Sequence, residues 1–347
     1  MPLRPLALTA SAVLSATALA FTAPAADAVP GADSHVCSPW VSLDRFSDSL
    51  DKTTLDGAPV GELSGLALES PGRLLAVADE SSLYTLDAHT RKPLSVQPLA
   101  DGAGQPLDSE AVVVDRDGTR LIADETVPSV VRFSRSGTYL GRLDVPAALR
   151  VAPAGRATHN LTFEGLALLP GGHTLVASME GALTGDDASV RRLQTWRRKG
   201  VSGQFRLAEQ YAVRVDSGLN ISDIASTGDG RLLVLERGFQ AGVGNTVRLY
   251  LADPAHASAV SGTATIVPGS TVRPARTTLL ADIADCPSLG ATAKQPQPNP
   301  LLDNIEGVTV TGRTGERGLR LLMVSDDNGN SAQTTRLYSL TARLPRT

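Results

Sequence analysis

Five times along the chain an acidic or hydroxyl residue opens a short apolar run: SGLAL from Ser64, EAVVV from Glu110, EGLAL from Glu164, DIAST from Asp223 and EGVTV from Glu306. Each is followed by a second apolar run, LLAVADE, LIADE, TLVASME, LLVLERG or LLMVSDD. A third run follows with a central aromatic, and Tyr84, Phe133, Trp196, Tyr250 and Tyr338 take matching places. A repeat of this kind constrains the fold more than any single motif, because one copy cannot bury its apolar face alone and must stack on the next. The intervals are uneven, shortest from Ser64 to Glu110 and longest from Asp223 to Glu306, which excludes a tight solenoid and suits blades joined by variable loops.

The runs are short and rich in β-formers, and turns such as PGR, RDG, PGG and GDG bound them. That pattern reads as antiparallel strands with no long helix between them. The expected fold is therefore all-β, a single β-propeller over 58–347, and six blades is the count that best fits: five clear copies and one irregular copy. The irregular copy, or a loop insertion, falls in 253–300, which is rich in Pro, Ala and Thr and ends in KQPQPNP. Residues 29–57 are expected to supply strand that closes the ring against the last copy.

The N-terminus reads as an export signal. MPLRP is a short basic region, LALTASAVLSATALAF an apolar one, and ADA at 26–28 a cleavage site, so 1–28 is expected to be removed and the protein secreted. The apolar run falls short of the roughly 20 strongly apolar residues a membrane span needs. In an oxidising compartment the two cysteines, Cys37 and Cys286, read as one disulfide. Composition, with 36 acids against 32 bases and a net charge of −4, favours neither nucleic acid nor an anionic membrane as partner. A monomer acting on a small ester or phosphate is the expectation.

In an antiparallel hairpin the start of the first strand and the end of the second lie at one edge. Glu110, Glu164, Asp223 and Glu306 at strand starts, with Asp79, Asp124, Glu180, Glu236 and Asp326 at strand ends, should therefore converge on one channel mouth. Like charges so placed raise one another's pKa unless cations or backbone amides compensate. Ca²⁺, which accepts six to eight oxygen ligands in adaptable geometry, suits such a mouth. The competing expectation is that these acids cap turns through backbone N–H groups.

ELSGLAL at 62–68, NLTFEGLAL at 160–168, NISDIASTGDGRLLVLERGF at 220–239, the pair DNIEGVTV and LLMVSDDNGN, and QTTRLYSL at 333–340 together resemble the phytase-like family, described by its esterase-like activity. The resemblance implies a secreted propeller that hydrolyses phosphoric or other esters with Ca²⁺. Carried onto this chain, it implies metal ligands Glu62, Glu164, Asp223, Glu236, Glu306, Asp326 and Asp327. Glu164, Glu306 and Asp326 would be catalytic. Arg237, or an arginine of the 191–198 run, would bind substrate oxygens. Two rivals stand beside this reading: a calcium-dependent lactonase using Glu164, Asn220 and Asp326, and a secreted binding propeller without catalysis. No G-x-S-x-G elbow, H-E-x-x-H or P-loop is present.

Overall fold

The computed structural model describes residues 35–346; the expected signal peptide lies outside them. The apolar runs, most of them buried along nearly their whole length, form five four-stranded antiparallel sheets. Blade 1 is Leu63–Ser70, Arg73–Ala78, Ser82–Asp87 and Pro93–Pro98. Blade 2 is Ser109–Val114, Arg120–Asp124, Ser129–Phe133 and Tyr139–Arg142, and blade 3 is Phe163–Leu168, Thr174–Met179, Val190–Arg197 and Arg206–Arg214. Blade 4 is Asn220–Ser226, Leu232–Gln240, Gly244–Asp253 and Arg276–Asp282. Blade 5 takes Asn304–Arg313, Gly318–Asp326 and Leu337–Arg343, and its outer strand is Val41–Ser47 from the other end of the chain. Each blade's first strand packs against the first strand of the next, and the fifth against the first, so the ring is closed.

The propeller is thus as expected, but with five blades rather than six. Segment 253–300 forms no blade. Its strand Arg276–Asp282 completes blade 4. The residues between, 254–275, run along the outer strand of blade 3, where Val260 N–H donates to Gln210 O at 2.8 Å and Ala275 N–H to Ala212 O at 2.7 Å. Val260 and Ile266 pack there on Val190 and Ala212. A sheet edge that would otherwise offer unpaired amides is covered.

The core lies between blades rather than in one central mass. Leu74 and Ala76 of blade 1 meet Leu322 and Val324 of blade 5, for example, and Leu121 and Ala123 of blade 2 meet Leu175 and Ala177 of blade 3. The five aromatics of the repeat all sit on third strands. Ring closure uses two devices. Val41–Ser47 pairs with Leu337–Arg343, and Cys37 is disulfide-bonded to Cys286, just beyond the outer strand of blade 4.

Candidate functional site

The first strand of every blade starts with a bulge. Pairing with the second strand skips one residue at Ser64, Glu164, Ser222 and Glu306, and two at Glu110 and Ala111. A bulge leaves its extra residue out of the ladder and re-aims its side chain. Here it places Ser64, Glu110, Glu164, Ser222 and Glu306 at equivalent points of the five blades. A second set lies on the second strands or one residue past them, at the level just beyond the bulge, toward the mouth: Asp79, Glu125, Glu180, Arg237 and Asp326. Asp79, Glu125 and Glu180 donate their amides to Glu62 O, Asp108 O and Thr162 O, while Arg237 and Asp326 pair with Asn220 and Asn304. The mouth is therefore lined by sets of five from equivalent positions.

Carboxylates fill most of these positions and form one continuous strip. Asp79, Glu110 and Glu306 bring oxygens within 4.8 Å of one another, as do Asp108, Glu110 and Glu125, and Glu125, Glu164 and Glu180. Glu110 and Glu125 link the three groups. Asp326 joins through Asn304, whose Nδ2 donates to Glu306 Oε1 at 3.0 Å and to Asp326 Oδ2 at 3.3 Å. Ser64 Oγ donates to Asp79 and, at 3.4 Å, to Glu306 Oε2. Arg237 enters this strip as a cation, with Nη2 at 2.8 Å from Glu306 Oε1. At the far end Asn220 Nδ2 donates to Glu180 Oε1 at 3.2 Å, and Arg191 holds the Asn220 Oδ1 and Glu180 O atoms.

The electrostatics follow. Burial, reinforced by the neighbouring carboxylates, pushes Asp326 up to about 9 and Asp79 and Glu125 to about 8. Glu110 and Glu164 stand well above the usual carboxylate range for the same reasons. Burial raises Glu180 to about 7 against the pull of Arg237. Without a further cation this strip holds protons at neutral pH. All the donors are hard oxygens, with no His or Cys among them, and several are convergent. That set fits a hard divalent cation such as Ca²⁺ and does not fit a thiolate- or imidazole-seeking metal.

Of the residues expected from sequence, Asp79, Glu110, Glu164, Glu180, Glu306, Asp326 and Arg237 are gathered in this strip. Asp223 is not. It follows the blade 4 bulge and so occupies the position that is Gly65, Gly165 or Gly307 in other blades. Its carboxylate points into the ring and accepts Ile224 N–H at 2.7 Å and Val308 N–H at 2.8 Å. Glu236 likewise falls one residue short of the mouth and accepts the Asp216 amide at 2.9 Å. Asp124 is held by Arg142 at 2.7 Å, and Glu125 takes the mouth position instead. Asp327 is ion-paired with Lys52 at 2.6 Å and accepts the Glu62 amide, and Glu62 lies beside it at the margin. Glu125 and Asp108 were missed in the sequence; the bulge, which offsets the strands by one residue, hides them.

Two arginines of the 191–198 run have other partners. Arg192 is buried against Asp186 at 2.7 Å and Arg198 chelates Asp115. A cleft of about 780 Å³ lies between blades 3 and 4 at the opposite edge, lined by Leu169, Thr174 and Leu232 among others.

The phytase-like family model, described as esterase-like activity of phytase, matches residues 58–329. The chain belongs to this family. No curated protein matches the chain. Among solved structures, a gluconolactonase from Xanthomonas campestris is similar at 14% identity and TM-score 0.43, covering 84% of this chain and 74% of its own. A streptogramin B lyase is similar at 8% identity and TM-score 0.39, covering 87% and 88%. The β-propeller domain of Cps50 (Swd1) from Myceliophteria thermophila is similar at 12% identity and TM-score 0.39, covering 82% and 73%.

Proposed function

We propose that this phytase-like propeller is a secreted, divalent-cation-dependent hydrolase of phosphoric or other esters, working at the acidic mouth with Ca²⁺ as its cation. The observation that carries the reading is the strip itself: buried carboxylates contributed by four blades at equivalent bulge and strand-end positions, into which one arginine side chain projects. Turn capping explains only part of it: Asp326 Oδ1 accepts the Asn328 N–H at 2.7 Å and Glu125 Oε1 the Thr162 N–H at 2.8 Å, but carboxylate oxygens of the strip also face one another, whereas both oxygens of Asp223 are taken up by backbone amides. Glu110, Glu164, Glu306, Asp79 and Asp326 would hold the cation, which supplies Lewis acidity and neutralises their charge.

Arg237 presents a guanidinium beside Glu306 and can donate to an anionic substrate oxygen in the bidentate manner. Glu164, whose carboxyl burial and Glu110 hold well above the usual carboxylate range, would ionise once the cation binds, and its free oxygen could then take a proton from the attacking water and return it to the leaving oxygen. Asn304, bonded to both Glu306 and Asp326, fixes the orientation of those two carboxylates. The family membership and the disulfide support the assignment to an exported ester hydrolase.

Calcium titration by calorimetry, with turnover of p-nitrophenyl phosphate in parallel, tests this. The wild type should bind Ca²⁺, and Glu306→Gln and Asp326→Asn should each lose at least tenfold in affinity and in kcat. A protein that binds no divalent cation, or that turns over equally well in excess chelator, would sink the reading.

A further inference from the structure

Beside the acidic strip lies a cavity of about 280 Å³, and its lining differs from the strip in kind. Six of its nine residues carry side-chain amides, Asn245, Asn304, Asn328 and Gln333 among them; the others are Arg237, Phe239 and Glu306. Asn245 is 1% exposed, yet neither its Oδ1 nor its Nδ2 has a hydrogen-bond partner in the protein. The Nε of Arg237 and the Nε2 of Gln297, whose Oε1 accepts the Asn245 backbone N–H at 2.8 Å, are buried and unpartnered as well. Buried polar atoms left without partners cost stability, so a fold that keeps three such groups together has a reason outside the fold. Phe239 stands at the rim, 56% exposed.

Amide side chains offer both donors and acceptors and carry no charge, which matches hydroxyl groups rather than phosphates. Arg237 is the one cation in the lining, and Glu306 already pairs with it. Lys52 and Lys294 reach the neighbouring 327–333 loop, but Asp327 and Asp51 engage them. A densely charged polyanion would find one guanidinium and many carboxylates here. A neutral ring edged with hydroxyls would find donors, acceptors and an exposed aromatic face.

We propose that the cavity lined by Arg237, Phe239, Asn245, Asn304, Asn328 and Gln333 is a subsite for the uncharged, polyhydroxylated, sugar-like part of a substrate that bears a single anionic ester group. The proposal rests on the reading of the neighbouring strip as the reactive centre. In it, Asn245 and Asn328 bond ring hydroxyls, Phe239 covers the apolar ring face, and Arg237 marks the junction with the anionic group. A site built around hydroxyl partners discriminates strongly against ligands that lack them, because its own polar atoms are then left unpaired.

The test is competitive calorimetry with glucose 6-sulfate, a monoanionic sugar ester whose sulfate release is measured alongside to verify that it stays intact, against inorganic sulfate and inositol hexakisphosphate, with and without Ca²⁺. The wild type should prefer glucose 6-sulfate over sulfate by at least tenfold. Asn245→Leu should erase that preference, leave sulfate binding unchanged, and leave the thermal midpoint of the free protein unchanged or higher, since it removes two unsatisfied polar atoms. Retention of the preference in Asn245→Leu, or tighter binding of inositol hexakisphosphate than of the monoanionic sugar, would overturn the proposal, and so would equal affinity for sulfate and the sugar ester in the wild type. Sugar preference without any calcium binding would remove the metal-dependent reading and keep the subsite; calcium binding without sugar preference would do the reverse.

Discussion

Two aspartates show how position decides what a buried carboxylate does. Asp326 faces Glu306 and Asp79, so its neighbours oppose its charge as burial does. Asp223 is buried as deeply, yet it accepts the backbone N–H of Ile224 in its own strand and of Val308 in blade 5, and so serves the ring. Burial holds its carboxyl well above the usual range, and those amides pull the other way. Removing it would strand donors in the interior at a cost of about 1–3 kcal/mol for each amide left unsatisfied. Asp223→Ala is therefore expected to lower the urea midpoint strongly while calcium affinity stays that of the wild type. Glu306→Gln should give the opposite pattern. A loss of calcium affinity in Asp223→Ala at unchanged stability would show that Asp223 belongs to the mouth after all.

At the scale of the strand, the first strands of blades 1, 3 and 5 approach their neighbours so closely that a Cβ has no room at the residue after the bulge. A Cβ on Gly65 would lie 2.5 Å from Glu110 O, on Gly165 2.6 Å from Ile224 N, and on Gly307 2.6 Å from Ser64 O. Gly165→Ala must push blades 3 and 4 apart, and overpacking of this sort costs about 1–3 kcal/mol. A lowered thermal midpoint with the mouth acids intact is the expected result; a neutral variant would mean that the strands yield freely. The repeat unit was legible in the sequence because acid, apolar runs and third-strand aromatic recur together, and these five copies are the five blades. The placement of Glu164, Glu306 and Asp326 at the mouth was legible for the same reason, whereas Arg237 came only from the family resemblance. What the sequence hid was the bulge. Sliding DIAST onto EGLAL puts Asp223 on Glu164, whereas the register puts Ser222 there. The same offset made Asp124 stand for Glu125 and Glu236 for Arg237. Segment 253–300 was expected to be an irregular sixth blade or a loop insertion, because nothing in a Pro- and Ala-rich stretch tells edge cover from an irregular sheet.

For the molecule as a whole, the ring that the disulfide and the strand Val41–Ser47 hold closed is also what forces the carboxylates together. That coupling makes stability depend on pH in an unusual direction. In the unfolded chain these acids ionise near their ordinary values of 3.8 and 4.5. In the folded chain Glu180 holds its proton to about 7, Asp79 and Glu125 to about 8, and Asp326 to about 9, with burial as the leading cause in each. Between those limits the native state carries more protons than the unfolded one, so stability falls as pH rises, by about 1.4 kcal/mol per pH unit for each proton held in excess. The metal-free protein should thus lose thermal stability from about pH 5 to 9 and level off above. Saturating Ca²⁺ replaces the protons as counter-charge, so it should flatten that slope and stabilise most at the alkaline end. Melting curves across this range, in chelator and in calcium, read both effects at once. A flat profile in chelator would mean that the fold itself neutralises the strip, and the ring would then have no electrostatic need of a cation.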